Sequence, residues 1–129
     1  MSGRYLLDTN IVSAFFKNEK DVVKKISKAS RIIIPVIVIG ELYYGTFQSS
    51  NPAMYLLKIR ELEKYTFVLD CDRETGVVYG EIKTALKKVS KQIPDNDIWI
   101  AALAKQHNLT LVTRDKHLTF VEDIDLEKW

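Results

Sequence analysis

The chain has 129 residues, 47% of them hydrophobic and 28% charged, with a formal net charge of +2. That length suits one compact domain spanning 1–129, able to bury a core without a structural metal, and the lone Cys71 excludes an intrachain disulfide. The near-balanced charge does not mark a nucleic-acid binder by itself, although a local basic stripe can act within a balanced total. An acid at position 8 interrupts "MSGRYLLDTN" before a secretory apolar region develops. The longest apolar run, "IIIPVIVIG", is far short of the ~20 residues of a membrane helix. The expectation is a cytoplasmic protein in a reducing compartment, with no membrane segment.

In chain order, "RYLL" (4–7) reads as a short buried strand, after which Thr9 or Asn10 can cap a helix through Ile11, Val12, Phe15 and Phe16. A second amphipathic helix sets Val22, Val23 and Ile26 against Lys20, Lys24, Lys25 and Lys28. "RIII" (31–34) is the second strand, ended by Pro35, which suits the entrance of a helix over "VIVIGELYYGTFQ". "NP" at 51–52 opens a helix through Leu56, Ile59 and Leu62, and "TFVLD" (66–70) is the third strand. Val78, Ile82, Leu86, Val89 and Ile93 predict the face of one long helix. Residues 95–107 form the next, with Asn108 as a left-handed cap. "LTLVT" (109–113) is the fourth strand, and "IDLEKW" adds a fifth at the edge. Strands alternating with helices predict an α/β fold around a mainly parallel sheet.

Four acids stand out against this frame. Asp8 follows the first strand and Asp115 the fourth, and ligands of open parallel sheets gather beyond the carboxyl ends of strands. Glu41 lies within a helix, its neighbours one turn away being Ile37, Val38, Tyr44 and Gly45, so it projects from a largely apolar face. A carboxylate there needs a cation or a strong donor. Asp97 opens the face that continues as Ile100, Ala101 and Ala104, while Asp95 or Asn96 can serve as the cap. Singly, each acid has an ordinary explanation as a turn residue, a helix-start acid or an arginine-paired core carboxylate. Jointly, carboxylates converging on a small volume repel one another unless divalent cations sit between them, and oxygen donors favour Mg²⁺ or Mn²⁺ over zinc.

The segments "LLDTN", "GELYYG", "PDNDIWIAALA" and "LVTRD" occur in the order seen in PIN-domain proteins, and the chain resembles the VapC-type toxins of toxin–antitoxin pairs over roughly residues 4 to 127. The resemblance implies a three-layer α/β/α sandwich with a parallel sheet of four or five strands. It also implies an acidic pocket binding Mg²⁺ or Mn²⁺, and an endoribonuclease whose products carry a 5′-phosphate and a 3′-hydroxyl. Carried over by motif, the metal and catalytic residues are Asp8, Glu41, Asp97 and Asp115, with Asn10 and Thr113 as polar support. The frame P-x-x-D-x-x-I-A-A selects Asp97; Asp95 remains as a helix-entrance residue or an outer acid. A small antitoxin partner, usually DNA-binding, whose C-terminal segment covers the pocket, and a homodimer are implied as well.

Contact with the RNA backbone falls to basic residues near the pocket, with Arg114 and Lys116 flanking Asp115 as the candidates. Lys83, Lys87, Lys88 and Lys91 read as a solvated helix face, His107 and His117 as surface residues, and at least two of Tyr43, Tyr44 and Trp99 as core. Phe15 and Phe16 suit either the core or a protein interface. A receiver or phosphatase-like domain with Asp8 as phosphoryl acceptor would need a second acid beside it, where the chain has Thr9 and Asn10. A non-catalytic RNA-binding version would lack one or more of the four acids. A freestanding RNA-processing nuclease is the alternative within the same chemistry.

Overall fold

The computed structural model describes residues 3–129. Five strands form one sheet in the order β3-β2-β1-β4-β5, with every neighbouring pair parallel. They are β1 (Arg4–Leu7), β2 (Arg31–Pro35), β3 (Phe67–Leu69), β4 (Thr110–Val112) and β5 (Asp125–Glu127). Six helices flank the sheet: α1 (Thr9–Phe16), α2 (Lys20–Lys28), α3 (Val36–Phe47), α4 (Pro52–Lys64), α5 (Arg73–Lys88) and α6 (Asp95–Gln106). A short 3₁₀ helix, Lys116–Phe120, precedes β5. This is the α/β architecture that the alternation of strands and helices predicts.

The central strands carry unbroken apolar runs because helices cover both faces of a parallel sheet. Leu6, Leu7, Ile34, Leu111 and Val112 have no exposed surface. Both edge strands are only three residues long, which limits pairing with another chain. Helix α6 is the most deeply set, with Ile98, Ile100, Ala101, Ala102, Leu103 and Ala104 all buried. Its alanines let the helix backbone approach the sheet closely.

The long helix expected to run as far as Ile93 stops at Lys88. Ser90 takes a left-handed φ of 57°, and the Lys91 N–H closes back onto the Leu86 carbonyl at 2.9 Å. This reversal ends the helix and satisfies its terminal carbonyls. Val89 is therefore exposed, and Ile93 reaches the core from the following loop. Helix α6 ends the same way, with Asn108 at φ 52° and the Leu109 N–H on the Ala104 carbonyl at 2.9 Å, as its sequence predicts.

Candidate active site

The strand order reverses between β1 and β4, and Asp8 sits in the crevice at that switch point. The Asp8 N–H donates to the Val112 carbonyl at 3.0 Å, extending the β1–β4 ladder by one residue. That bond sets the Asp8 carboxylate beside Thr113, whose hydroxyl donates to Oδ2 at 2.7 Å. The Thr9 N–H donates to Oδ1 at 2.8 Å, and Asn10 Nδ2 approaches Oδ2 at 3.5 Å. Asp8 itself is the cap of α1, in place of the expected Thr9 or Asn10, because the helix starts at Thr9, directly after the one residue that follows the strand. Thr9 and Asn10 are thereby free for the site. The Thr9 hydroxyl donates to Glu41 Oε1 at 2.6 Å, supplying the strong donor that a carboxylate on that face requires. Asn10 Oδ1 accepts the Arg114 N–H at 3.2 Å.

Asp97 lies in the first turn of α6. Neither Asp95 nor Asn96 caps that helix: Pro94 is the cap residue, and no side chain bonds to the first turn. Asp95 is already helical, a position from which its side chain does not reach the N–H groups that a cap residue reaches. It accepts instead from the Tyr79 hydroxyl at 2.9 Å and from Lys83 Nζ at 3.0 Å, tying α6 to α5 and leaving it outside the acid cluster.

Among the described residues, Asp97 Oδ2 is the only buried side-chain polar atom without a hydrogen-bond partner. Burial, then the hydrogen bond and charge of Asp115, then the charges of Asp8 and Glu41, push the Asp97 carboxyl up to about 7. Burial also raises Asp8, against the bonds from Thr113 and Thr9 that lower it, with the charges of Glu41 and Asp115 adding to the rise. Asp97 and Asp8 thus each lie within electrostatic reach of the other predicted acids.

Asp115 is placed by a pinned loop. Its N–H donates to Thr113 Oγ1 at 2.9 Å, and the Thr113 N–H donates to the Glu127 carbonyl at 3.0 Å. The Arg114 guanidinium donates to Glu19 Oε1 and to the Trp129 carbonyl, both at 2.9 Å. Arg114 is thereby engaged in holding the loop, and reaches RNA only by releasing these partners. Lys116 is exposed and lines a shallow cleft of about 220 Å³ with Thr113, Asp115 and Lys128.

His117 has a neighbour that sequence reasoning did not foresee. It is exposed, as expected of a surface histidine, yet its Nδ1 lies 3.1 Å from Asp115 Oδ1. One potential ligand atom from each of Asp97, Asp115 and His117 lies within 4.8 Å of the others. Its position two residues after Asp115, inside the turn that Asp115 caps, is the only signal the chain offers for this. The aromatics also depart from expectation. Tyr43 packs against the core, Trp99 stacks on Tyr79 at 4.1 Å, and Tyr44 is exposed. Phe15 and Phe16 pack against the core and line an apolar groove of about 730 Å³ between α2, α4 and β3, remote from the four acids.

The arrangement suits a hard divalent cation. The charges of Asp8, Glu41 and Asp115 all bear on Asp97, one of whose oxygens is buried without a partner. Among the described residues no lysine or arginine bonds to any of the four, and ligand atoms within 4.8 Å of one another come from Asp97, Asp115 and His117. Oxygen-rich donor sets of this kind hold Mg²⁺ or Mn²⁺.

The profile of the PIN domain matches residues 5–123, and the chain belongs to the PIN-domain family. It is similar to Ribonuclease VapC2 of Haemophilus influenzae, with 32% identity over 114 residues covering 87% of this chain and 86% of that protein. Toxin FitB of Neisseria gonorrhoeae is 30% identical over 129 residues, covering 92% of this chain and 93% of the toxin. Among solved structures, VapBC2 from Rickettsia felis bound to a promoter DNA fragment superposes with a TM-score of 0.89. Its identity is 28%, with 97% of this chain and 98% of that one covered. No described helix is long and apolar enough to cross a membrane.

Proposed function

We propose that this chain is a divalent-metal-dependent endoribonuclease, the toxin of a VapBC-type toxin–antitoxin pair. VapC ribonucleases and the toxin FitB match it along most of their length, which supports the nuclease reading. The observation that carries the metal dependence is the buried, unpartnered Asp97 Oδ2 within a cluster of four carboxylates. Asp8, Glu41, Asp97 and Asp115 would hold Mg²⁺ or Mn²⁺. When bound, such an ion acidifies water and offsets charge on phosphate oxygens, the chemistry that phosphodiester hydrolysis requires.

The chain's own residues hold the acids in position for this. Thr113 orients Asp8, Thr9 orients Glu41, and Asn10 ties the start of α1 to the loop that carries Asp115. Each hydrogen bond to an ionised carboxylate favours the charged form, opposing the effect of burial. Lys116, exposed beside Asp115, would contact a backbone phosphate. A small antitoxin would cover the acidic pocket with its C-terminal segment, and the groove lined by Phe15, Phe16, Leu57 and Phe67 would offer such a partner a concave apolar surface. Exposed Tyr44 and Phe47 on α3 offer a second copy of the chain an apolar contact.

The test is cleavage of total RNA by wild type, Asp8→Asn and Asp97→Asn with Mg²⁺, Mn²⁺ or EDTA. Cleavage by wild type alone, abolished by EDTA, is the expected result. Equal cleavage by all three proteins would remove the assigned site, and equal cleavage with chelator would remove the metal. Induced expression that arrests growth separates a toxin from a freestanding RNA-processing enzyme.

A further inference from the structure

His117 has no structural need to face the acids. It is the second residue of a short 3₁₀ helix, and its backbone N–H already donates to the capping Asp115 at Oδ1 over 2.9 Å. Half of its side-chain surface is open to solvent, so the imidazole could point outward. It turns inward instead, with Nδ1 3.1 Å from Asp115 Oδ1 and a ring nitrogen within 4.8 Å of a carboxylate oxygen of Asp97. The same small space holds the buried Asp97 Oδ2 that no protein group satisfies. Two carboxylate oxygens and an imidazole nitrogen facing one another form a mixed oxygen–nitrogen donor set, which differs in kind from four carboxylates.

We infer that His117 is a nitrogen ligand to the divalent ion held by Asp97 and Asp115, which biases the centre towards Mn²⁺ over Mg²⁺. The inference rests on the metal site proposed above and adds to it a residue outside the acid motifs. Mg²⁺ takes oxygen ligands almost exclusively, whereas imidazole suits transition metals. A neutral imidazole keeps one nitrogen free to accept a cation while the other is a donor. The second histidine, His107, sits at the far end of α6, ~15 Å along the helix axis from Asp97, and serves as an internal control.

The experiment loads the metal-free full chain with Mn²⁺ alone and measures nitrogen hyperfine coupling to the bound ion by pulsed electron paramagnetic resonance. Binding affinity is measured in parallel for wild type, His117→Gln, His107→Gln and Asp97→Asn. Wild type and His107→Gln are expected to show coordinated-imidazole coupling. His117→Gln is expected to lose it and to bind Mn²⁺ at least ~10-fold more weakly, the lower end of what even outer-shell partners contribute. Its preference for Mn²⁺ over Mg²⁺ falls in the same measurement. Bound Mn²⁺ without nitrogen coupling in wild type, or coupling that survives His117→Gln, overturns the inference while leaving the acidic site in place. Unchanged Mn²⁺ affinity in Asp97→Asn overturns the acidic site, and the inference with it.

Discussion

Two groups of carboxylates in this molecule have opposite surroundings. Asp72, at the start of α5, accepts the Thr75 N–H at 3.1 Å, the Gln106 side-chain amide at 2.8 Å and the Thr75 hydroxyl at 3.1 Å. Those bonds, the Thr75 N–H first, hold its carboxyl below the ordinary carboxylate range. At the switch point of the sheet, burial and neighbouring acids raise Asp8 and Asp97, and one Asp97 oxygen has no partner. Asp72 is satisfied by donors of its own chain and stabilises a helix terminus. The second group is left under-satisfied by the chain's own donors, and on the proposed function the missing partner would be a divalent cation. Under that proposal, stability is given up where an ion would be held.

The largest expected contrast is in catalysis. Asp97→Asn lowers RNA cleavage by ~100-fold or more, since loss of an outer-shell partner alone costs a metal centre ~10–100-fold. Asp72→Ala leaves cleavage near wild type. A single-turnover assay on one RNA substrate checks both, and equal losses would erase the distinction between the two acid groups. A smaller, opposite contrast lies in metal-free stability. Asp72→Ala removes the helix cap and lowers Tm, whereas Asp97→Asn relieves like-charge repulsion and raises it. Thermal unfolding in EDTA reads the two signs directly.

The smallest effect is the pH dependence of that stability. A carboxyl raised in the folded state favours its protonated form there, so the folded chain binds more protons than the unfolded chain between the two pKa values. For Asp97 the contribution is complete below about 3.8 and is lost as pH rises towards about 7. Metal-free wild type should therefore lose Tm between pH 4 and pH 7. Asp97→Asn should flatten that slope, while Asp72→Ala should leave it in place.

Much of this was legible in the chain because the signals were strong and local. The runs through Leu6 and Ile33 marked buried central strands, and Asn108 marked a left-handed helix end, since asparagine tolerates that conformation. Ser90 adopts the same conformation without advertising it, so a continuous apolar period appeared to carry α5 past its true end. The acids were legible as positions, each just after a strand or on an apolar helix face. Their local duties were less so: Asp8 caps α1 as well as facing the pocket, and Asp95 leaves the helix entrance to bond Tyr79 and Lys83. His117 was hidden because nothing in a loop sequence tells an inward imidazole from an outward one.

The central claim is that these distant acids meet in order to hold a divalent ion. Calorimetric titration of Mn²⁺ into the metal-free chain and into Asp8→Asn, Glu41→Gln, Asp97→Asn and Asp115→Asn tests it most directly. Binding to wild type that weakens in every variant, most in Asp97→Asn, is the result this account predicts. Binding that all four substitutions leave unchanged, or no binding to the wild-type chain at all, would contradict it.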